Sequence, residues 1–255
     1  MENKNTKTIK HNLKILGITL ARGGSKSITK KNIKPLCEKP VIAYTILEAL
    51  KSNYLTHYIV STDDKEIKNI SESYGAMVPF IRPKKFSSDT SSSVSALKHA
   101  VRFMEKKEGI KFDLVIEIMC TNPLKTVLDI DSCILKLIET KSDSVIAVHK
   151  LEDHHPARIK KIVNDRIEDF CIAEIPESRR QDLKPEAYIR SGSIYALKRD
   201  HLVKEGLRYG SKESRAYVLP PERAINLDTI YDFLVAEQMI KNRTTLSSNK
   251  DVIVK

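Results

Sequence analysis

Short apolar runs rich in β-branched residues alternate with segments of helical period along the first 150 residues, and this rhythm restricts the fold more than any other feature. Residues 13–21 read as a buried strand, and 41–50 as a helix entered at Pro40, a residue tolerated in a first turn. A strand at 58–61 precedes a polar helix at 64–74 that Gly75 ends, and a further strand is expected at 76–80. Val94, Leu97, Val101 and Met104 recur at intervals of three, four and three, which places them on one face of a helix. Strands at 114–119 and 144–149 flank a helix at 127–138. The repeated β-α-β order predicts an α/β fold of Rossmann-like type, with a mostly parallel central sheet and helices on both faces. Sheets of this kind bind ligands beyond the carboxyl ends of their strands, so the loops after Ala21, Ser61 and Met119 are where a site is expected.

Beyond Lys150 the rhythm lapses. Residues 151–188 are polar, contain Pro156, Pro176 and Pro185, and hold no sustained period. They read as an excursion from the sheet, a small dimerisation arm, not a second domain. A strand returns at 189–197 and a helix at 229–240, where Thr229 and Asp232 have the spacing of a capping box. One domain over 13–243 is expected, between a basic mobile leader (1–12) and a loose tail (244–255).

The formal charge of +11 invites a nucleic-acid reading, but its distribution argues against one. Residues 1–40 hold ten Lys/Arg against two acids and residues 241–255 four against one, which accounts for the whole excess and leaves the intervening chain balanced. A nucleic-acid binder would spread that charge over a folded face, with aromatics for stacking. No apolar run reaches the roughly 18 residues of a membrane helix, and the lysine-rich start lacks the apolar core of a secretory signal. The four cysteines, Cys37, Cys120, Cys133 and Cys171, form no CxxC pair, which fits a reducing, cytoplasmic setting better than a disulfide scaffold.

One loop concentrates the chemistry. The first strand runs into Ala21-Arg22-Gly23-Gly24-Ser25-Lys26-Ser27-Ile28-Thr29-Lys30-Lys31-Asn32. Two glycines let the backbone turn sharply and bring its N–H groups near a ligand, and a hydroxyl and several cations surround them. Such a loop suits a polyphosphate. Neither GxxxxGK[ST] nor GxGxxG can be written there, so a P-loop or a dinucleotide fingerprint is not indicated.

The segment Leu20-Ala21-Arg22-Gly23-Gly24-Ser25-Lys26 followed by Lys31-Asn32-Ile33 resembles the signature loop of the acylneuraminate cytidylyltransferases, the CMP-sialic acid synthetase family. The resemblance continues in order through Lys39-Pro40-Val41-Ile42-Ala43-Tyr44, Val60-Ser61-Thr62-Asp63, Arg82-Pro83, Ser88-Asp89-Thr90 and Thr121-Asn122-Pro123-Leu124-Lys125. It ends with His154-His155-Pro156, Gly192-Ser193-Ile194-Tyr195 and Asn226-Leu227-Asp228-Thr229, and so spans residues 13–240. It implies a nucleotide-sugar transferase fold and a magnesium-dependent enzyme that joins CTP to the anomeric hydroxyl of a nine-carbon α-keto sugar acid. The products are a CMP-sugar and pyrophosphate.

The resemblance also implies roles. Arg22 and Lys31 would hold the triphosphate in a cradle with Ala21, Gly23 and Gly24; Ser25 and Asn32 would contact nucleotide; Arg82 and Ser93 would line the cytidine side. Met119, Thr121, Asn122, Lys125, Arg190, Ser191 and Gly192 would serve the sugar, joined across a homodimer interface by Arg180 and Gln181. Asp228 and Asn226 would take the Mg²⁺. In-line phosphoryl transfer needs alignment of the nucleophile with the α-phosphorus and neutralisation of the departing pyrophosphate, and arginine, lysine and a carboxylate-held cation supply these.

Several positions depart from the family pattern. Its usual Leu-Gln-Pro-Thr-Ser-Pro-Leu-Arg is here Ile118-Met119-Cys120-Thr121-Asn122-Pro123-Leu124-Lys125, and its Arg-Pro-Asn-Gly is Ile189-Arg190-Ser191-Gly192. The arginine is thereby shifted one place, which on a regular strand turns it to the other side. The metal-binding Asp-Ile-Asp is Asn226-Leu227-Asp228, with one carboxylate replaced by an amide. These changes leave open another α-keto sugar acid such as the eight-carbon Kdo, or a nucleotide-binding homologue of weakened activity. Asp63 and Asp228 each precede a helix and can serve as cap or site, Arg179 and Arg180 as solvated pair or substrate contact. His154-His155 reads as structural, and Cys120 as a small buried residue instead of a nucleophile.

Overall fold

The computed structural model describes residues 13–24 and 28–250. The leader, Ser25 and the last five residues of the expected tail lie outside the described residues.

A six-stranded sheet forms the centre, in the order β10-β6-β9-β5-β1-β4. Its members are β1 (Ile15–Leu20), β4 (His57–Ser61), β5 (Leu114–Ile118), β6 (Ser144–Lys150), β9 (Tyr188–Lys198) and β10 (Ser214–Val218). β1 pairs in parallel with both β4 and β5, and β10 with β6. β9 alone runs against its neighbours, inserted antiparallel between β5 and β6. The mostly parallel sheet expected from the sequence is thus present. It is covered on both faces, which is why its inner strands read as unbroken apolar runs.

On one face, Ile15, Ile116, Ile118 and Val145 pack against Ile42 and Ile46 of α1 (Val41–Leu50), Ile67 of α2 (Lys65–Ser73), and Ile130 and Ile134 of α4 (Val127–Thr140). On the other, Leu16, Ile18 and Val115 meet Leu97, Val101 and Met104 of α3 (Ser93–Glu108). Those three α3 residues are the stripe that the sequence periodicity singles out. A short hairpin, β2 (Pro35–Leu36) and β3 (Lys39–Pro40), carries Leu36, which joins Val41, Leu227, Phe233 and Ala236 in a third cluster. That cluster docks α5 (Ile230–Lys250) and, with it, the segment preceding that helix.

Local signals act as expected at the helix ends. Asp64 accepts from the backbone of Glu66 and Ile67 to cap α2. Asp232 accepts from the Thr229 backbone and hydroxyl while its own N–H donates to Thr229 Oγ1, the capping box at α5.

Two expectations are corrected, and one strand is added. Residues 76–80 do not form a strand: they touch β4 through a single bridge, Ile59 to Met77, and a second bridge joins Thr62 to Ile81 just beyond both segments. Pro79 lacks the N–H that a continuous ladder needs. β10, whose half-exposed residues give no apolar run, was not anticipated. The last helix continues through Lys250 instead of stopping near residue 240. Within the excursion at 151–188 lies a hairpin, β7 (Lys160–Val163) and β8 (Arg166–Asp169), paired only with itself. Among the described residues no helix is long and apolar enough to cross a membrane.

Candidate active site

A cleft of about 510 Å³ opens at the carboxyl ends of β1 and β5, where the topology places a site. Arg22, Lys31 and Asn32 from the glycine loop form one side. Arg82 and residues 86–93, leading into α3, form another, and Glu117, Met119, Cys120 and Thr121 at the end of β5 form the floor.

The glycine loop is held from below by the two acids after β4. Asp63 Oδ1 accepts from the Gly23 N–H at 3.1 Å and lies 3.6 Å from Arg82 Nη2. A β-carbon on Gly23 would stand 2.6 Å from Asp64 Oδ2, so only glycine allows the loop to settle on the capping carboxylate. At Gly24 a β-carbon would meet nothing within 4 Å, and that glycine has no comparable steric demand. Asp63 therefore organises the loop, while neighbouring Asp64 is the cap.

Three cations reach the cleft by different means. Arg22 is paired at its mouth with Asp89, at 3.1 Å. Arg82 is 4% exposed, its Nε has no hydrogen-bond partner, and burial pulls its guanidinium pKa down against the pull of Asp63. Lys31 is buried, and its Nζ donates to Asp228 Oδ1 at 3.0 Å. A buried, under-satisfied guanidinium beside two further cations is a site for an anion. Ser93 lies in the same wall, in a serine-rich turn in which the Ser92 hydroxyl caps α3.

Asp228 does not cap α5, since Thr229 and Asp232 do so. Instead its carboxylate takes Lys31 on one oxygen and Asn226 Nδ2, at 2.6 Å, on the other. Asn226 Oδ1 is buried with no hydrogen-bond partner. Gly192 takes φ 61°, a left-handed conformation that favours glycine, and a β-carbon there would make only ordinary contact with Asn226, 3.4 Å from Nδ2. The pair Asn226 and Asp228 thus presents one free buried amide oxygen beside one largely exposed carboxylate. Among the described residues there is no group of three or more His, Cys, Asp or Glu fit to hold a metal.

The residues expected at the sugar divide. Met119 and Thr121 face the cleft. Asn122 is buried, its amide nitrogen donating to the Arg223 carbonyl and its oxygen accepting from the Lys125 N–H. Lys125 points away from the cleft into the protein, 2% exposed, and donates to Thr45 Oγ1, the Met119 carbonyl and the Asn122 carbonyl at 2.6–2.7 Å. Burial pushes its ammonium down to about 7, with Cys120, Asp129 and Glu48 opposing. The Ser191 hydroxyl is spent on the Ala147 carbonyl inside the sheet. Arg190 stacks 4.3 Å over Tyr209, whose ring is 6.2 Å from that of Tyr195. The reversal of its side assumed unbroken alternation, which the irregular register opposite Ile146 and Val148 removes. Arg180 and Gln181 line a separate cavity in the arm, where Arg180 pairs with Glu152 at 2.9 Å.

Glu117 was not anticipated. It is 1% exposed in the cleft floor, paired with Arg208 at 2.6 Å, and Arg208 lies 4.1 Å over Tyr195. Burial pushes its carboxyl pKa up and Arg208 pulls it back. A lone acid within the apolar run Leu114-Val115-Ile116-Glu117-Ile118 was the available signal. Cys120 is buried, its thiol pushed up to about 11 by burial and donating to Asn32 Oδ1 at 3.1 Å, which suits a packing residue better than a nucleophile. His155 bonds the Pro185 carbonyl and the Ala157 N–H, a structural role.

A doubly covered sheet with a cationic, glycine-bearing cleft at its carboxyl edge defines an α/β protein, and the charge of that cleft suits a phosphorylated ligand. A family model described as cytidylyltransferase matches residues 16–242, and the chain belongs to that family. It is 32% identical over 230 residues to a pseudaminic acid cytidylyltransferase of Campylobacter jejuni, covering 90% of this chain and 97% of that protein. It is 28% identical to a CMP-N,N'-diacetyllegionaminic acid synthase of Campylobacter jejuni, covering 89% and 94%. Among solved structures, a CMP:2-keto-3-deoxy-manno-octonic acid synthetase complexed with CTP superposes with a TM-score of 0.65 at 17% identity, covering 90% of this chain and 99% of that one. That likeness is one of fold.

Proposed function

We propose that the protein transfers CMP from CTP to the anomeric hydroxyl of a sialic-acid-like nonulosonic acid and releases pyrophosphate. The observation that carries this reading is the convergence of Arg22, Lys31 and buried Arg82 on one cleft beside the Asn226–Asp228 pair. The acidic sugars in the names of the relatives agree with it. In the reaction the acceptor oxygen bonds to the α-phosphorus, the bond from that phosphorus to the β-phosphate bridge breaks, and the hydroxyl proton leaves to solvent.

Arg22 and Lys31 neutralise the charge that grows on the departing pyrophosphate, and Arg82 and Ser93 orient the cytidine side. Met119 and Thr121 face the acceptor. Asp228 and the free oxygen of Asn226 fit one Mg²⁺ held from one side, as is usual where substrate phosphates complete the shell. When bound, the ion supplies charge neutralisation at the phosphates. Lys31, bonded to Oδ1 of Asp228, holds that carboxylate in place at the edge of the cleft.

A second copy of the chain completes the assembly in this proposal. The arm exposes Ile162, Ile167 and Ile175, each by about three quarters, and Phe170 by 63%, an apolar surface of the kind that subunit contacts cover. Across such a contact Arg180 and Gln181 would come within reach of a neighbouring cleft. The reaction is assigned to the cytoplasm, where the free cysteines of the chain remain reduced.

Incubation with CTP, Mg²⁺ and N-acetylneuraminic, pseudaminic, N,N'-diacetyllegionaminic or Kdo acid, followed by mass spectrometry, tests the reading. A CMP adduct of a nine-carbon acid is expected. An adduct of Kdo alone would favour the eight-carbon alternative, and CTP binding without any adduct would favour a weakened homologue.

A further inference from the structure

The turn at 119–122 joins β9, the glycine loop and the segment before α5. The Met119 N–H donates to the Ser193 carbonyl on β9 at 2.8 Å. The Cys120 thiol reaches Asn32, whose amide donates to the Arg22 carbonyl in the glycine loop at 3.0 Å. The Thr121 carbonyl accepts from Leu227, between Asn226 and Asp228, at 2.8 Å. Asn122 holds the Arg223 carbonyl at 3.0 Å. Four consecutive residues therefore connect the acceptor side, the cation loop and the metal-side segment.

Beneath this turn lies a single buried amine. Lys125 Nζ donates to acceptors on three sides: Thr45 Oγ1 on α1 and the carbonyls of Met119 and Asn122, at either end of the turn. All three acceptors are neutral, so the contact is not an ion pair that a surface position could replace. Burying an amine this completely is costly unless each donor is met, and here the two turn carbonyls meet two of them.

We propose that Lys125 is a positioning residue for the transfer, fixing the 119–122 turn so that Met119 and Thr121 stand in register with the cation loop and with Asp228. It touches no substrate. The part that concerns transfer rests on the cytidylyltransferase reading, whereas the part that concerns the turn does not. Lys125→Met keeps the length of the side chain but leaves the two carbonyls without their donor. Lys125→Arg keeps charge and donors, and the adjoining cavity of about 240 Å³, which Lys125 itself lines, leaves space for the larger group.

The test uses the full chain with Cys37→Ser and Cys171→Ser, so that the thiols of Cys120 in the turn and Cys133 in the α4 core remain. Alkylation by iodoacetamide is followed at each by peptide mass spectrometry. Lys125→Met is expected to speed Cys120 labelling at least tenfold with Cys133 unchanged, and Lys125→Arg to return it towards the parent rate. Lys125→Gln, which retains an amide donor, should fall between the two and serves if the methionine variant does not fold. Cys120 labelling that stays constant, or that rises only in step with Cys133, would overturn the proposal.

In steady state, with whichever acid the parent turns over, Lys125→Met should lower kcat at least tenfold and raise the acceptor KM. Calorimetric CTP affinity should stay within threefold of the parent. An equal loss of CTP affinity, or no change in kcat, would also overturn it. If the parent turns over none of the acids, the transferase reading fails, while the labelling still decides whether Lys125 holds the turn.

Discussion

Replacing Asn226 by Asp restores a second carboxylate beside Asp228, and the geometry sets what this should do. Asn226 Nδ2 lies 2.6 Å from Asp228 Oδ2, and the Asp228 side chain is 64% exposed. Two carboxylates with charge centres about 4 Å apart repel by about 1 kcal/mol at a water-like dielectric, a lower bound here because Asp228 is exposed while the Asn226 oxygen is buried. Lys31 stays on the far oxygen of Asp228 and absorbs part of that repulsion. A divalent cation at a similar distance gains about 2 kcal/mol from the added charge. Relief of the repulsion adds to this, and desolvation of the new carboxylate takes some of it back. The expected outcome of Asn226→Asp is a ten- to thirtyfold fall in the Mg²⁺ concentration for half-maximal rate, about 1.4–2 kcal/mol. Without Mg²⁺ the variant should melt below the parent. The assay is initial pyrophosphate release against Mg²⁺ at saturating CTP and acceptor, with thermal unfolding in chelator beside it. An unchanged half-saturating Mg²⁺ would refute the placement of Asn226 at the ion.

Other expectations follow from the same geometry. Asp228→Ala should abolish Mg²⁺-dependent pyrophosphate release while leaving the fold intact by circular dichroism; retention of more than a tenth of the rate would argue against its role. Lys125 titrates near 7 when folded and near 10.5 when unfolded, so between these values the unfolded chain holds more protons and stability rises with pH. The parent should therefore gain on Lys125→Met by up to about 1.4 kcal/mol per pH unit above neutrality, read as a widening difference in Tm between pH 7.5 and 9. A constant or narrowing difference would mean that burial does not lower the proton affinity of this amine. Ile162→Lys with Ile167→Lys should convert a dimer to a monomer in light scattering; a parent that is monomeric at tens of micromolar would remove the arm as a subunit contact.

Much of this architecture was legible in the chain because burial on both sides of a parallel sheet leaves long apolar runs, and the stripe Leu97, Val101 and Met104 marked its helical cover. The glycine loop was legible because its chemistry is local: glycine, hydroxyl and cations occur within a dozen residues. What failed depends on distance in sequence. β10 is an edge strand with half-exposed residues, and no periodicity announces it. Glu117 meets Arg208 only because β9 brings Tyr195 opposite it, and no spacing encodes that. Lys125 was expected at the sugar because it stands where the resembling family carries an arginine. Its direction was settled by Thr45 and two carbonyls, partners visible only once α1 packs against the turn. Asp63 and Asp64 adjoin and share a residue type, yet one steadies Gly23 and the other caps α2.

The central claim is that the glycine loop and its cations form the seat of CTP. Calorimetric titration of CTP into the parent chain and into Arg22→Ala tests it most directly. One site per chain is expected in the parent, with affinity reduced at least tenfold in the variant, since a charge-assisted contact to phosphate contributes about 1.5–3 kcal/mol. Absence of heat in the parent, or equal affinity in the two proteins, would contradict the account.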